Sequence, residues 1–120
     1  MLKYVNTLNK DWGGHFKVTF AKNSREVLQA SKKYVKICLT RFGAPLQNKM
    51  YSLRTYKNIV LIVPLKEKKQ QMQSVSDFDI SITSQPHCGA AAIAIFLHEF
   101  YSGRELAMHF ENPKYKIAQK

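Results

Sequence analysis

An α+β fold is predicted for this sequence: a single small domain over residues 1–120, with a mixed or antiparallel sheet of about five strands and a buried helix in the C-terminal half. Three observations predict it. The chain has 120 residues, 45% apolar and 12% aromatic, enough for one real core and too few for two domains. Short segments that alternate apolar and polar side chains recur along it, as half-buried strands require. One stretch, Cys88 to Gly103, is apolar on nearly every side, as a helix packed inside a domain would be.

His15 to Ala21 alternates, with Phe16, Val18 and Phe20 on one face and His15, Lys17 and Thr19 on the other, so a strand is expected there after a turn at Asp11-Trp12-Gly13-Gly14. Asn23 with Glu26 three residues later resembles a capping box and starts a short amphipathic helix, SREVLQASKK, whose Val27 and Leu28, with Tyr34 beyond it, face the core. Tyr34 to Thr40 is a second strand with Val35, Ile37 and Leu39 inward, ending at Gly43-Ala44-Pro45. Met50 to Tyr56 and Ile59 to Leu65 form a hairpin across Lys57-Asn58, the second arm apolar enough to be central and ended by Pro64. The polar run KEKKQQMQS is a solvated connector, helical or loose. Asp77 to Thr83 alternates Phe78, Ile80 and Ile82 against Asp77, Asp79 and Ser81 and makes another strand. The buried helix follows, with four alanines early, Phe96, Leu97 and Phe100 late, and Gly103 at its end. Glu105 to Phe110 adds a short edge strand.

The net charge is +11. Residues 1–60 hold twelve Lys and Arg against Asp11 and Glu26, a net of +10, whereas residues 61–120 carry only +1. Such a basic half, interleaved with Tyr34, Phe42, Tyr51 and Tyr56, fits an acidic partner, either nucleic acid or an acidic protein surface. Lys17, Lys32, Lys33, Lys36, Arg41, Lys49, Arg54 and Lys57 are the candidate contacts. No apolar run approaches the roughly 18 residues that span a bilayer, and MLKYVNTLNK has no signal-peptide core. No membrane contact is expected, and an intracellular setting is, in the cytoplasm or nucleus, a host cell's included.

Cys88 is the most informative chemical feature. It follows a strand and the Ser84-Gln85-Pro86-His87 loop and opens a helix, where the N-terminal field favours thiolate. Equally, cysteine is a common small buried residue. Gly89 beside it permits close approach of a substrate, and Gln85 offers an amide to a developing oxyanion. A nucleophile needs a base, and four histidines compete. His98 lies ten residues further along the same helix, roughly 15 Å away. His87 is adjacent in sequence and points away, and His109 sits near the tail in no defined frame. His15, at the start of its strand, is the preferred base, with an exposed strand-end histidine the plain alternative.

Gln85, the Cys88-Gly89 pair and the small-residue helix that follows resemble the cysteine segment of the adenain and SUMO-protease clan. Gly14-His15-Phe16 is similar to its histidine strand, and the order agrees, with His15 preceding Cys88 by 73 residues. Thr40 and Arg41 stand where that clan has an orienting carboxylate. The resemblance implies a minimal papain-like thiol hydrolase, active or degenerate, with Cys88 as nucleophile, His15 as base and Gln85 at the oxyanion. The competing expectation is a small basic module, viral, phage-encoded or part of a ribonucleoprotein, that binds nucleic acid or blocks a nucleic-acid enzyme without chemistry. Cys38 and Cys88 are expected as free thiols. The sequence holds no phosphate loop, no GxSxG or HExxH, and no metal-ligand spacing, so no cofactor and no metal are expected.

Overall fold

The longest strand of the computed structural model, β1 (Val35–Pro45), has a parallel neighbour on each side, β2 (Ile59–Ile62) and β3 (Phe78–Ser81), giving the order β2-β1-β3. The structure describes residues 2–30, 32–64 and 75–119. Around the sheet come α2 (Ser24–Ala30), α3 (Leu46–Leu53) and α4 (Gly89–Phe100), with a 3-10 turn at Arg104–Ala107. These elements make one compact unit, Lys22–Leu106; a second joins Met1–Ala21, which contains helix α1 (Leu2–Trp12), to Ala107–Lys120.

Sequence periodicity explains why β1 is central. Ile37 and Leu39 point to one face and join Ile80 of β3, Leu46, Met50 and Leu53 of α3, and Ala92 and Phe96 of α4 in the main core. Between them Cys38 turns to the other face, where it packs with Ile62 and Val75 and with Val27 of α2. With helices on both faces, three consecutive residues of β1 are buried, the usual state of parallel strands. Fully burying a side chain such as Phe96 or Ile37 stabilises the fold by about 1.5–3 kcal/mol. The expected inward sets Val35, Ile37, Leu39 and Phe78, Ile80, Ile82 all contribute to the main core.

The α+β composition holds, but the sheet differs from the expected five-strand mixed or antiparallel arrangement. The hairpin does not form, because its first arm is helical: Leu46, Met50 and Leu53 recur at i, i+4 and i+7 and bury one face of α3. With a helix between β1 and β2, the chain crosses over and the two strands run parallel. His15 to Ala21 is not a strand either, and Phe16 and Phe20, expected on its inward face, are exposed. Glu105 to Phe110 begins in the 3-10 turn, where the Glu105 carboxylate accepts from His98 Nδ1 at 3.1 Å, and its remainder is exposed. The polar connector KEKKQQMQS lies outside the described residues.

Helix ends follow local chemistry. Asn23 Oδ1 accepts from the Glu26 amide at 3.0 Å, while Glu26 Oε2 accepts from the Lys22 amide at 2.7 Å, a capping box displaced by one residue. Of the three residues expected to face the core here, Val27 packs, whereas Leu28 and Tyr34 are largely exposed. At the other end of the unit, α4 is only partly enclosed: Ala92 and Phe96 are buried, while Ile95, on the flank of that stripe, is 46% exposed.

β1 is not continuous in its pairing. Leu39 and Ala44 both oppose Ile80, so Thr40 to Gly43 bulge out of the ladder. Thr40 Oγ1 accepts from the Phe42 amide at 3.3 Å within the bulge. Gly43 closes it against β3, so tightly that a Cβ there would lie 2.5 Å from the carbonyl of Asp79.

Candidate active-site cleft

Three parallel strands present their carboxyl ends on one side of the sheet, and there the unit has an open cleft of about 490 Å³. Its lining follows from the topology. Leu39 and Arg41 come from β1 at the bulge, Val63 and Pro64 from the first residues after β2, and Pro86, His87, Cys88 and Gly89 from the loop that links β3 to α4, with Ala92 one turn further on. Open parallel sheets bind ligands in this position, because the loops leaving the strands converge there.

The β3–α4 loop is held by its own polar groups. Thr83 Oγ1 accepts from the Gln85 amide at 3.2 Å, and His87 Nδ1 donates to the Gln85 carbonyl at 2.7 Å. Cys88 is the N-cap of α4, with extended backbone (φ −88°, ψ 158°) and Sγ accepting from the Ala91 amide at 3.4 Å. The thiol therefore takes the place that serine, threonine or aspartate more often fills at a helix start. Gly89 is needed for closeness, since a Cβ would approach Val63 Cγ1 to 2.6 Å. The cleft thus has an apolar wall of Leu39, Val63, Pro64 and Ala92, one guanidinium, one imidazole, and the first turn of α4, whose N–H groups have no partners within the helix.

The sequence-predicted residues fall into different settings. Cys88 is exposed at the cleft, and Gln85, also exposed, contributes its backbone to the loop beside it. His15 belongs to the terminal unit, where its Nε2 lies 3.9 Å from Glu111 Oε2, and the strand expected to carry it does not form. Among the basic candidates, Lys17, Lys32, Lys33, Lys49 and Lys57 are exposed. The Lys36 side chain is only 11% exposed and sits 3.6 Å from Asp77 Oδ2. Arg54 donates to the Glu99 carbonyl and so ties α3 to the end of α4. Arg41 lines the cleft, its guanidinium 5.8 Å from the centroid of Phe42.

Sequence reasoning passed over His87 because neighbouring side chains normally diverge. In the loop both His87 and Cys88 line the cleft, an arrangement possible only because the backbone there is neither helix nor strand. Val63 and Pro64 had a usable signal: they end an apolar strand, and strand ends are where such sites gather. Among the described residues no group of three or more His, Cys, Asp or Glu could hold a metal ion, and no helix is long and apolar enough to cross a membrane.

Comparison with known proteins gives one family. Residues 12–120 match the family described as tRNA ribose 2'-O-methyltransferase, aTrm56. The chain is 33% identical over 121 aligned residues to the tRNA (cytidine(56)-2'-O)-methyltransferase of Sulfurisphaera tokodaii, covering 98% of this chain and 72% of that protein. The protein of the same name from Methanocaldococcus jannaschii is 32% identical over 117 residues, covering 94% of this chain and 65% of that one; that from Nitrosopumilus maritimus is 25% identical over 115 residues, with the same coverage. The chain therefore spans about two thirds of the length of such relatives. These matches overturn the likeness to adenain and SUMO proteases, which rested on two short segments. The thiol-hydrolase function falls with it, and so do the viral assignment and the non-catalytic binding module, since the matched family is named for a reaction on RNA.

Proposed function

The chain belongs to the tRNA ribose 2'-O-methyltransferase family, aTrm56, and on that premise we propose that it transfers a methyl group to the 2'-oxygen of a tRNA cytidine, the one at position 56 named for its relatives. The match over residues 12–120 carries this reading, because it takes in every element that builds the cleft. A methyl donor is then required, contrary to the expectation of no cofactor, and the sulfonium class exemplified by S-adenosylmethionine supplies a methyl group open to displacement by an oxygen nucleophile.

The residues present fit such a donor. A volume of about 490 Å³ falls within the roughly 300–1,000 Å³ of small-molecule sites. Leu39, Val63, Pro64 and Ala92 offer apolar surface to a flat heterocycle, and the α4 N-terminus offers hydrogen-bond donors to carboxylate or hydroxyl oxygens. Arg41 brings a fixed positive charge to the cleft, suited to the phosphate beside the target ribose. The basic N-terminal half supplies the sequence-independent attraction to the tRNA backbone. Cys88 acts here as a helix cap rather than a nucleophile.

The test is methyl transfer from a radiolabelled sulfonium donor to an unmodified tRNA transcript, with the product located by its resistance to alkaline cleavage. Label is expected at one cytidine, and none when that nucleotide carries a 2'-deoxyribose. Cys88→Ser, which keeps a capping oxygen, should retain activity within about threefold. Label on a base, or none on wild-type reactions, overturns the proposal.

A further inference from the structure

Among the described residues that line the cleft, His87 carries a ring nitrogen with a free lone pair, and its orientation is already set. The Gln85 carbonyl only accepts hydrogen bonds, so the 2.7 Å contact requires His87 Nδ1 to carry the hydrogen. In the neutral ring the lone pair is then on Nε2, the nitrogen not held by the loop. His87 lines the same cleft as Arg41 and the α4 N-terminus, and the backbone that holds it is itself pinned by Thr83 and by the Cys88 cap. A base, a fixed tautomer and an adjacent cation form the arrangement that general-base activation of a hydroxyl needs. Among the described residues, the other ionisable side chains lining the cleft are Arg41, from β1, and Cys88, from the same loop.

We propose that His87 is the catalytic base of the methyl transfer, its Nε2 accepting the proton of the ribose 2'-hydroxyl. The assignment rests on the methyltransferase reading and adds to it a residue and an atom. In the step, the 2'-oxygen forms a bond to the methyl carbon as the carbon–sulfur bond breaks; the sulfonium leaves as a neutral thioether. The hydroxyl proton passes to Nε2, giving an imidazolium that returns it to water. Arg41 holds the neighbouring phosphate and takes no part in the proton transfer.

Two variants and two kinds of measurement test this. His87→Asn keeps an N–H donor for the Gln85 carbonyl and removes the basic nitrogen, whereas His87→Ala removes both. Single-turnover methyl transfer should fall by about 10²–10⁴-fold in each, while calorimetric binding of the donor and filter binding of tRNA change less than about threefold. Independently of turnover, nitrogen-15 NMR of the free protein should show His87 protonated at Nδ1 when neutral. An Nε2–H tautomer, a variant as fast as wild type, or a rate loss matched by lost donor or tRNA binding overturns the role of His87. A wild-type protein that methylates no tRNA sinks the underlying reading and this role together; an active wild type with an equally active His87→Asn sinks this role alone.

Discussion

The sheet unit, Lys22–Leu106, and the terminal unit, Met1–Ala21 with Ala107–Lys120, use apolar residues in opposite ways. Eleven of the twelve buried apolar residues among those described belong to the sheet unit, and Val5 alone to the terminal one. The terminal unit is held mainly by its backbone: Asp11 O accepts from the Lys114 and Tyr115 amides at 2.8 and 2.7 Å, and Glu111 O accepts from Gly14 at 3.3 Å. Its aromatics stay largely on the surface, with Trp12 and Tyr115 in a tilted pair 5.8 Å apart and Tyr4, Phe16 and Phe20 exposed. Burial of side chains defines one unit and hydrogen bonds between distant chain segments the other. The first should therefore unfold cooperatively, and the second should open locally at lower free energy.

The contrast can be broken from either side. Gly43→Ala should have the largest effect, because its Cβ would meet the backbone of Asp79 and Ile80 at 2.5–2.6 Å, and main chain in a sheet cannot move aside cheaply. A loss of about 3 kcal/mol, roughly 12 °C in Tm, is expected by calorimetry; an unchanged Tm contradicts the tight bulge. Gly13→Ala places a side chain at φ +87° and 2.6 Å from Glu111 O. It should cost about 1–2 kcal/mol and appear in hydrogen exchange as lost protection at Gly14, Lys114 and Tyr115, with β1 amides unaffected. Equal loss of protection in β1 removes the distinction between the units. Asn23→Ala should be the mildest, about 1 kcal/mol through the lost cap of α2, and urea titration should show a lower midpoint at constant m.

Several elements were legible because their signals are local. The capping pair Asn23 and Glu26 and the alternation in β1 and β3 behave as the residue order implies, and the apolar α4 forms where expected but is only partly enclosed. The hairpin arm expected from Met50 to Tyr56 gives way to α3, because the apolar spacing that begins at Leu46 (Leu46, Met50, Leu53) is helical. The site was half legible. A strand, a loop with Gln85, His87 and Cys88, and a helix opening at Gly89 mark a place for chemistry, but a cysteine at a helix start serves equally as a nucleophile or a cap. The geometry shows the cap, with Sγ on the Ala91 amide. Similarly, Lys36 and Arg54 are indistinguishable by sequence from exposed bases such as Lys32, although Lys36 is engaged with Asp77 and Arg54 with Glu99.

The sequence by itself determined which segments are apolar, where α2 and α4 begin, and that the positive charge gathers in the first sixty residues, because propensity, capping and composition act over a few neighbours. Only the tertiary structure decided that the strands run parallel in the order β2-β1-β3 and that Arg41, Val63 and His87 share one cleft. Alternation with period two is the same in parallel and antiparallel strands, so direction is set by what connects them and covers their faces. A cleft at strand ends, assembled from segments twenty or more residues apart, exists only once that pairing is made.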